Sequence, residues 1–246
     1  MRRLGILGGM AWPSTADLYR RINQGVAARL GGAHSAPLII WSVDFAEIEA
    51  CQAAGDWDAA GRLLADASRR LEAAGAEGLL LATNTMHRVA EAIEAATSLP
   101  LLHLADVTAA RIRGDDVHRV GLLGTRFTME QAFYRGRLAA HHLDVLVPDE
   151  PGRAEVHRMI YDELIHGQVR EDSRAALLGI IDGLVARGAH GIIAGCTELE
   201  LLLTADDVEV AWYPTTALHA EAAVEFVLGA DPALGPGATG RRGRLP

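Results

Sequence analysis

Gly191-Ile192-Ile193-Ala194-Gly195-Cys196-Thr197-Glu198 is an apolar run that ends in glycine and hands over to a cysteine, a threonine and a glutamate. A run this short, apolar without alternation, predicts a strand buried on both faces, with a helix opening just after it. Open α/β sheets bind ligands beyond the carboxyl ends of such strands, so Cys196 is delivered to a candidate site. The first half of the chain repeats the pattern at Gly78-Leu79-Leu80-Leu81-Ala82-Thr83-Asn84-Thr85, with threonine in place of cysteine. The two turns are expected to face each other across one cleft.

Other segments repeat with them. Arg2-Arg3-Leu4-Gly5-Ile6-Leu7-Gly8-Gly9 is echoed by His118-Arg119-Val120-Gly121-Leu122-Leu123-Gly124-Thr125. Gly75-Ala76-Glu77-Gly78 is echoed by Gly188-Ala189-His190-Gly191, and Thr83 follows Gly8 at nearly the spacing by which Cys196 follows Gly124. Matched signatures at matched spacing point to an internal duplication. The expected fold is therefore α/β: two similar parallel-sheet domains related by pseudo-symmetry. Residues 1–112 form the first and 113–213 the second, with 214–229 packing back on the first. Residues 230–246, rich in Gly, Pro and Arg, read as a mobile tail.

Within this frame, further strands are expected at residues 3–7, 37–43, 99–104, 142–147 and 208–212. Ser14, with Asp17 three residues on, reads as a helix N-cap. Leu18, Ile22, Val26 and Leu30 then mark one helix face up to Gly31-Gly32. Residues 148–152 read as a loop, and 153–165, 172–187 and 216–228 as helices. Cys51 and Gln52 fall in helical sequence after Asp44. The early glycines run Gly5-x-x-Gly8-Gly9, which is not the dinucleotide fingerprint.

Composition narrows the function. A net charge of −9 argues against nucleic acid as partner. No apolar run approaches the roughly 18–20 residues of a membrane span, and two cysteines without metal-like spacing suit a reducing cytoplasm and a free thiol. No metal site is expected from the histidines. All 23 basic residues are arginine, so a lysine Schiff base to pyridoxal phosphate and a Walker A loop are both excluded.

The turns Thr83-Asn84-Thr85-Met86-His87 and Gly195-Cys196-Thr197-Glu198, with Gly8-Gly9-Met10, resemble the aspartate/glutamate racemase superfamily. The similarity spans nearly all of residues 1–229, including Ser42-Val43-Asp44-Phe45 and Leu123-Gly124-Thr125-Arg126-Phe127-Thr128-Met129. It is strongest toward bacterial amino-acid racemases with threonine in the first turn. The resemblance implies two α/β domains with the site between them, no cofactor, a small amino-acid substrate and, as one assembly, a homodimer. It implies Thr83 and Cys196 as the catalytic pair on opposite faces of the α-carbon. It carries over Met10, Gln52, Asn84, Thr85, Thr197 and Glu198 as substrate contacts. The usual pattern has two cysteines, and this chain departs from it at Thr83. Many aspartate-selective relatives have an arginine after the second strand, whereas residues 44–52 here contain none. Hydantoin racemase, maleate isomerase, decarboxylase and a non-catalytic amino-acid-binding protein are the alternatives.

The residue chemistry suits that implication. A thiol at a helix start is expected to have a lowered pKa, making Cys196 the base. The N–H groups at Asn84-Thr85 and Thr197-Glu198 are placed to receive a carboxylate. Thr83 is too weak an acid to be a resident base, so it needs a neighbour to take its proton, with His87 and Glu198 as candidates. The expected enzyme is asymmetric: Cys196 abstracts and Thr83 mainly delivers.

Overall fold

The computed structural model describes residues 1–229; the segment read as a mobile tail lies outside them. The first sheet holds β1 (Leu4–Gly8), β2 (Leu38–Ser42), β3 (Gly78–Leu81) and β4 (Leu101–Leu102), in the order β2-β1-β3-β4. The second holds β5 (Arg119–Gly124), β6 (Asp144–Leu146), β7 (Gly191–Gly195) and β8 (Ala211–Pro214), in the order β6-β5-β7-β8. Every pairing is parallel, and the two orders are the same when each half is counted from its own first strand. The fold is mixed α/β with two four-stranded parallel sheets.

Parallel strands need helical crossovers, and these cover both sheet faces. β1, β3 and β7 are buried at every residue, which is why they read as unbroken apolar runs. In the first half the helices are α1 (Trp12–Leu30), α2 (Phe45–Ala54), α3 (Trp57–Ala73), α4 (Ala90–Ala96) and α5 (Leu104–Gly114). The second half has α6 (Arg126–Glu130), α7 (Ala132–Ala140), α8 (Glu150–Arg158), α9 (Glu171–Ala186) and α10 (Thr215–Val227). α10 follows the last strand of the second sheet yet packs on α1 and α5. One apolar cluster draws on both halves, joining Leu4, Ile6, Leu80 and Ile112 to Val120, Leu122, Ile193 and Phe226. Each side chain buried this fully contributes about 1.5–3 kcal/mol.

Several local expectations are corrected. β8 lies at Ala211–Pro214, later than 208–212, because the capped turn at Thr204–Asp207 occupies the preceding chain. β4 is only two residues long. Residues 150–152 belong to α8, with Asp149 accepting from Gly152 N–H at 3.0 Å and Pro151 in the first turn. The helix then passes into a π turn, Met159–Glu163, and a 3-10 turn, Leu164–His166. Ser14 is not a cap: α1 begins two residues earlier, after Ala11, with Pro13 in its first turn. Among the described residues no helix is long and apolar enough to cross a membrane.

The docking of α10 generates a stability prediction. A Cβ on Gly78 would stand 2.4 Å from Phe226 Cζ, and Phe226 is itself buried. Gly78→Ala is expected to destabilise the protein by about 1–3 kcal/mol through overpacking. Denaturant unfolding checks this; an unchanged midpoint would contradict the packing of α10 across β3.

Candidate functional site

In each sheet the strand order reverses beside the first strand, opening a crevice at the carboxyl ends of β1 and β3 and of β5 and β7. The turns leaving those four strands build the site. After β1, Gly9 turns the chain at φ +95°, and a Cβ there would meet Val43 O at 2.3 Å, so only glycine serves. Its N–H donates to Thr15 Oγ1 at 2.9 Å, seating the start of α1 over the sheet edge. After β7, a side chain on Gly195 would stand 2.7 Å from Leu123 O, so glycine lets the two strand ends lie close. A cavity of about 360 Å³ lies among these turns, small among ligand sites. Met10, Gln52, Thr83, Asn84, Thr85, Cys196, Thr197 and Glu198 all line it.

Glu198 is the hub of the second-half turn. Its Oε2 accepts from Cys196 Sγ at 2.9 Å and from Thr197 Oγ1 at 2.6 Å. Its Oε1 accepts from Ser14 Oγ at 3.2 Å, and that hydroxyl also lies 3.0 Å from Thr197 Oγ1. Ser14, read from sequence as a cap, thus ties the first helix to the second-half turn. The lowered thiol pKa expected at a helix start is overturned. Thr197–Leu201 is a five-residue 3-10 turn, too short to build much of a dipole. Burial and the adjacent Glu198 carboxylate push the Cys196 thiol well above its ordinary value, although Glu198 N–H at the sulfur pulls the other way.

Thr83 stands apart from this network. Among the described residues no hydrogen bond to Thr83 Oγ1 is present, and its carbonyl instead lies 2.7 Å from His87 Nδ1. His87 Nε2 accepts from Leu104 N–H at 3.1 Å, so the proton of the neutral ring sits on Nδ1 and is donated to Thr83 O. Both ring nitrogens are committed. His87 therefore does not take the Thr83 hydroxyl proton; it pins the Thr83 turn to the start of α5. Next to it, Asn84 Nδ2 donates to Thr215 Oγ1 at 3.2 Å, and that hydroxyl donates onward to Ala194 O at 2.8 Å. This order fixes the amide orientation and leaves Asn84 Oδ1 buried without a donor. Gln52 Nε2 meets Met86 Sδ at 3.1 Å, and Thr85 Oγ1 lies 3.3 Å from Thr125 Oγ1 across the two halves. Thr125 both caps α6 and lines the cavity, whereas Thr128 is wholly buried.

Residues that sequence reasoning missed complete the wall. Phe45, Tyr161, Ile165 and His219 line the cavity beside Ser14. Their signals were weak: His219 is one histidine in a helical run, and Tyr161 and Ile165 belong to turns that read as plain helix. His219 Nε2 donates to Leu102 O at 2.7 Å. Its ring lies 6.0 Å from that of His87, which is 4.6 Å from His103. Asp106 sits beyond this trio; burial opposes its ionisation, but hydrogen bonds from Arg137 and His141 hold it down to about 2. Among the described residues no group of three or more His, Cys, Asp or Glu could hold a metal ion.

The chain belongs to the Asp/Glu/Hydantoin racemase family, whose model matches residues 7–223. A Yersinia pestis protein provisionally described as an Asp/Glu racemase is 53% identical, and its crystal structure superposes with a TM-score of 0.90. That match covers 93% of this chain and 100% of the other. An aspartate racemase homologue from Pyrococcus horikoshii is 30% identical with a TM-score of 0.81, at 93% and 100% coverage. The broad specificity amino-acid racemase RacX of Bacillus subtilis is 27% identical, over 70% of this chain and 74% of RacX.

The histidine trio predicts how stability responds to acid. Burial lowers His87 to about 3, with His103 adding to the effect. Burial likewise lowers His103 to about 4 and His219 to about 3. A histidine with a depressed folded pKa contributes fully above its unfolded value of 6.5, and the contribution is lost as pH falls toward the folded value. Between about pH 6 and pH 5, each of the three is expected to remove up to about 1.4 kcal/mol per pH unit, and His103 stops contributing as pH approaches about 4. Urea unfolding across that window measures the slope. A stability flat from neutrality to about pH 4.5 would mean that these rings ionise freely in the fold.

Proposed function

We propose that the chain is a cofactor-independent amino-acid racemase that inverts the α-carbon through Cys196 and Thr83 on opposite faces. One observation carries the reading: the turns after β3 and β7 bring Thr83 and Cys196 to one cavity, with the thiol donating to a carboxylate. Family membership supports it. The absence of lysine from the chain fits chemistry that needs no Schiff base.

An α-proton is a weak acid, so its removal needs a strong positioned base and an environment that meets the developing charge. A free thiolate beside Glu198 would set two anions side by side. Passing the thiol proton to Glu198 avoids this, because one anion is exchanged for another and the pair keeps a single negative charge. The sulfur then takes the α-proton. An incoming ammonium group would favour the anionic pair. The N–H groups of Asn84 and Thr85 lie ahead of the first bond of their 3-10 turn, His87 N–H to Asn84 O, and suit the substrate carboxylate. From the other face the Thr83 hydroxyl delivers its proton; after product release Glu198 gives the proton it took to solvent and Thr83 regains one, which resets the site. With no protein base on its hydroxyl, Thr83 abstracts poorly, which makes the two directions unequal step by step.

Proton NMR in deuterium oxide with L- and D-amino acids tests the reading. Cys196→Ala is expected to lower α-proton exchange by about 10²–10⁴-fold, the worth of a general base. Thr83→Ala is expected to keep exchange of one enantiomer while losing inversion. Exchange unaffected by Cys196→Ala would sink the mechanism. Binding of amino acids without any exchange would instead favour the non-catalytic alternative, to which the unassisted Thr83 hydroxyl lends weight.

Glu198→Gln gives an independent check on proton sharing. Without the carboxylate the thiol loses its proton acceptor, so kcat should fall by at least about tenfold, within the range of general-base effects. The fall should shrink as pH rises and thiolate forms directly. A pH-independent deficit would make Glu198 a substrate contact only.

A further inference from the structure

The cavity lacks a group that an acidic side chain would need. Among the described residues, no arginine lines it, and the chain has no lysine. Arg21 is committed elsewhere, to Asp17 at 2.5 Å and Glu200 at 3.0 Å. Arg88 is bonded to Gln131, with its guanidinium carbon 4.2 Å from the centre of the Trp57 ring. His219, the one histidine on the lining, donates its Nε2 proton to Leu102 O and stays neutral. The charge that does face the cavity is negative. Glu198 lines it, and Glu49 and Glu198 both help, after burial, to raise the Tyr161 phenol above its ordinary value.

One side of the wall is apolar. Phe45 enters from the start of α2, Ile160 and Tyr161 from the π turn, and Ile165 from the 3-10 turn after it. Trp12 and Ile165 leave much of their surface in solvent, at 71% and 48% exposure. A carboxylate drawn into this space would lose its hydration and meet no cation, which is costly. A hydrocarbon side chain would instead cover surface that is now wet.

We infer that the substrate side chain is apolar, of the size and chemistry of leucine or methionine, and that aspartate and glutamate are rejected. This rests on the amino-acid racemase reading and adds the side-chain class to it. Phe45, Ile160, Tyr161 and Ile165 are then the specificity-determining residues, acting by shape and by the lack of a positive charge.

Two measurements on the full chain keep this inference separable from the racemase reading. The first compares kcat/KM for α-proton exchange with leucine, methionine, aspartate, glutamate and lysine. Leucine and methionine are expected to exceed both acidic amino acids by at least about 100-fold, the scale on which an unmatched polar group is rejected. The second is titration calorimetry of the same amino acids, which reports side-chain preference without turnover. Preferential binding of leucine without exchange would overturn catalysis and keep the side-chain inference. Faster exchange of glutamate, aspartate or lysine overturns the inference and leaves catalysis standing, and tighter binding of any of them without exchange overturns both. Neither binding nor exchange of any amino acid overturns both. Ile165→Arg, at the exposed mouth, supplies the missing cation and should raise the glutamate-to-leucine ratio at least about tenfold. An unchanged ratio in that variant would also count against the assignment.

Discussion

Both sheets are parallel and covered by helices on their two faces, and this confines chemistry to their carboxyl edges. Side chains within such strands are spent on the core, as the complete burial of β1, β3 and β7 shows. The residues just beyond the strands are both rigidly placed and free to meet a ligand. Thr83 and Cys196 occupy equivalent places after β3 and β7, and Ser14 and Thr125 follow β1 and β5. The same strand order in both halves sets two such edges around one cavity. α10 and the shared apolar cluster then hold the edges together. Close packing at Gly9 and Gly195 matters for the same reason, since a side chain at either would push a turn away from its partner.

Within the cavity the decisive term is the proton between Cys196 and Glu198. An isolated buried thiol would be a poor base, and burial beside a carboxylate makes the free thiolate less accessible still. In the proposed mechanism the hydrogen bond to Glu198 turns that obstacle into a relay, because the proton has somewhere to go without adding charge. Ser14 and Thr197 hold the carboxylate in place from two sides. Among the described residues the Thr83 hydroxyl has no such partner. His87 is bonded through both nitrogens, so it supplies geometry to Thr83 and no basicity.

The fold was legible in the sequence because its signals are local. A fully buried parallel strand is a short unbroken apolar run, and Gly78–Leu81 and Gly191–Gly195 both have that form, each opened by a glycine. The eight candidate residues that line the cavity sit just past the ends of such runs or in the helix after β2, so motif and topology pointed to one place. What was not legible depends on contacts across the chain. Ser14 looked like a cap because caps and cleft residues share a residue type and a position near a helix start. The Cys196 pKa was misjudged because sequence shows the turn but neither its shortness nor the Glu198 rotamer. The commitment of His87 depends on Leu104 N–H, seventeen positions away and on another helix. The side-chain wall arises from a π turn, and π turns have no pattern that separates them from ordinary helix.

An unequal acid–base pair does not mean a one-way enzyme. Free enantiomers have equal energies, so the two kcat/KM values must be equal whatever the residues on each face. The weakness of Thr83 as a base is therefore felt in both directions through the shared transition states. It shows only in how kcat and KM divide between the enantiomers. Under the proposed mechanism, proton abstraction by the Cys196–Glu198 pair comes first for one of them and delivery by Thr83 second; for the other the order is reversed and the poorer base must act first. The same reasoning separates the two sides of the cavity. In the proposed racemase the relay would govern how fast an α-proton moves, while the cation-free apolar wall would govern which amino acid is held there for it to move. A change at Ile165 can then alter the substrate without touching the proton path, and a change at Glu198 can do the converse.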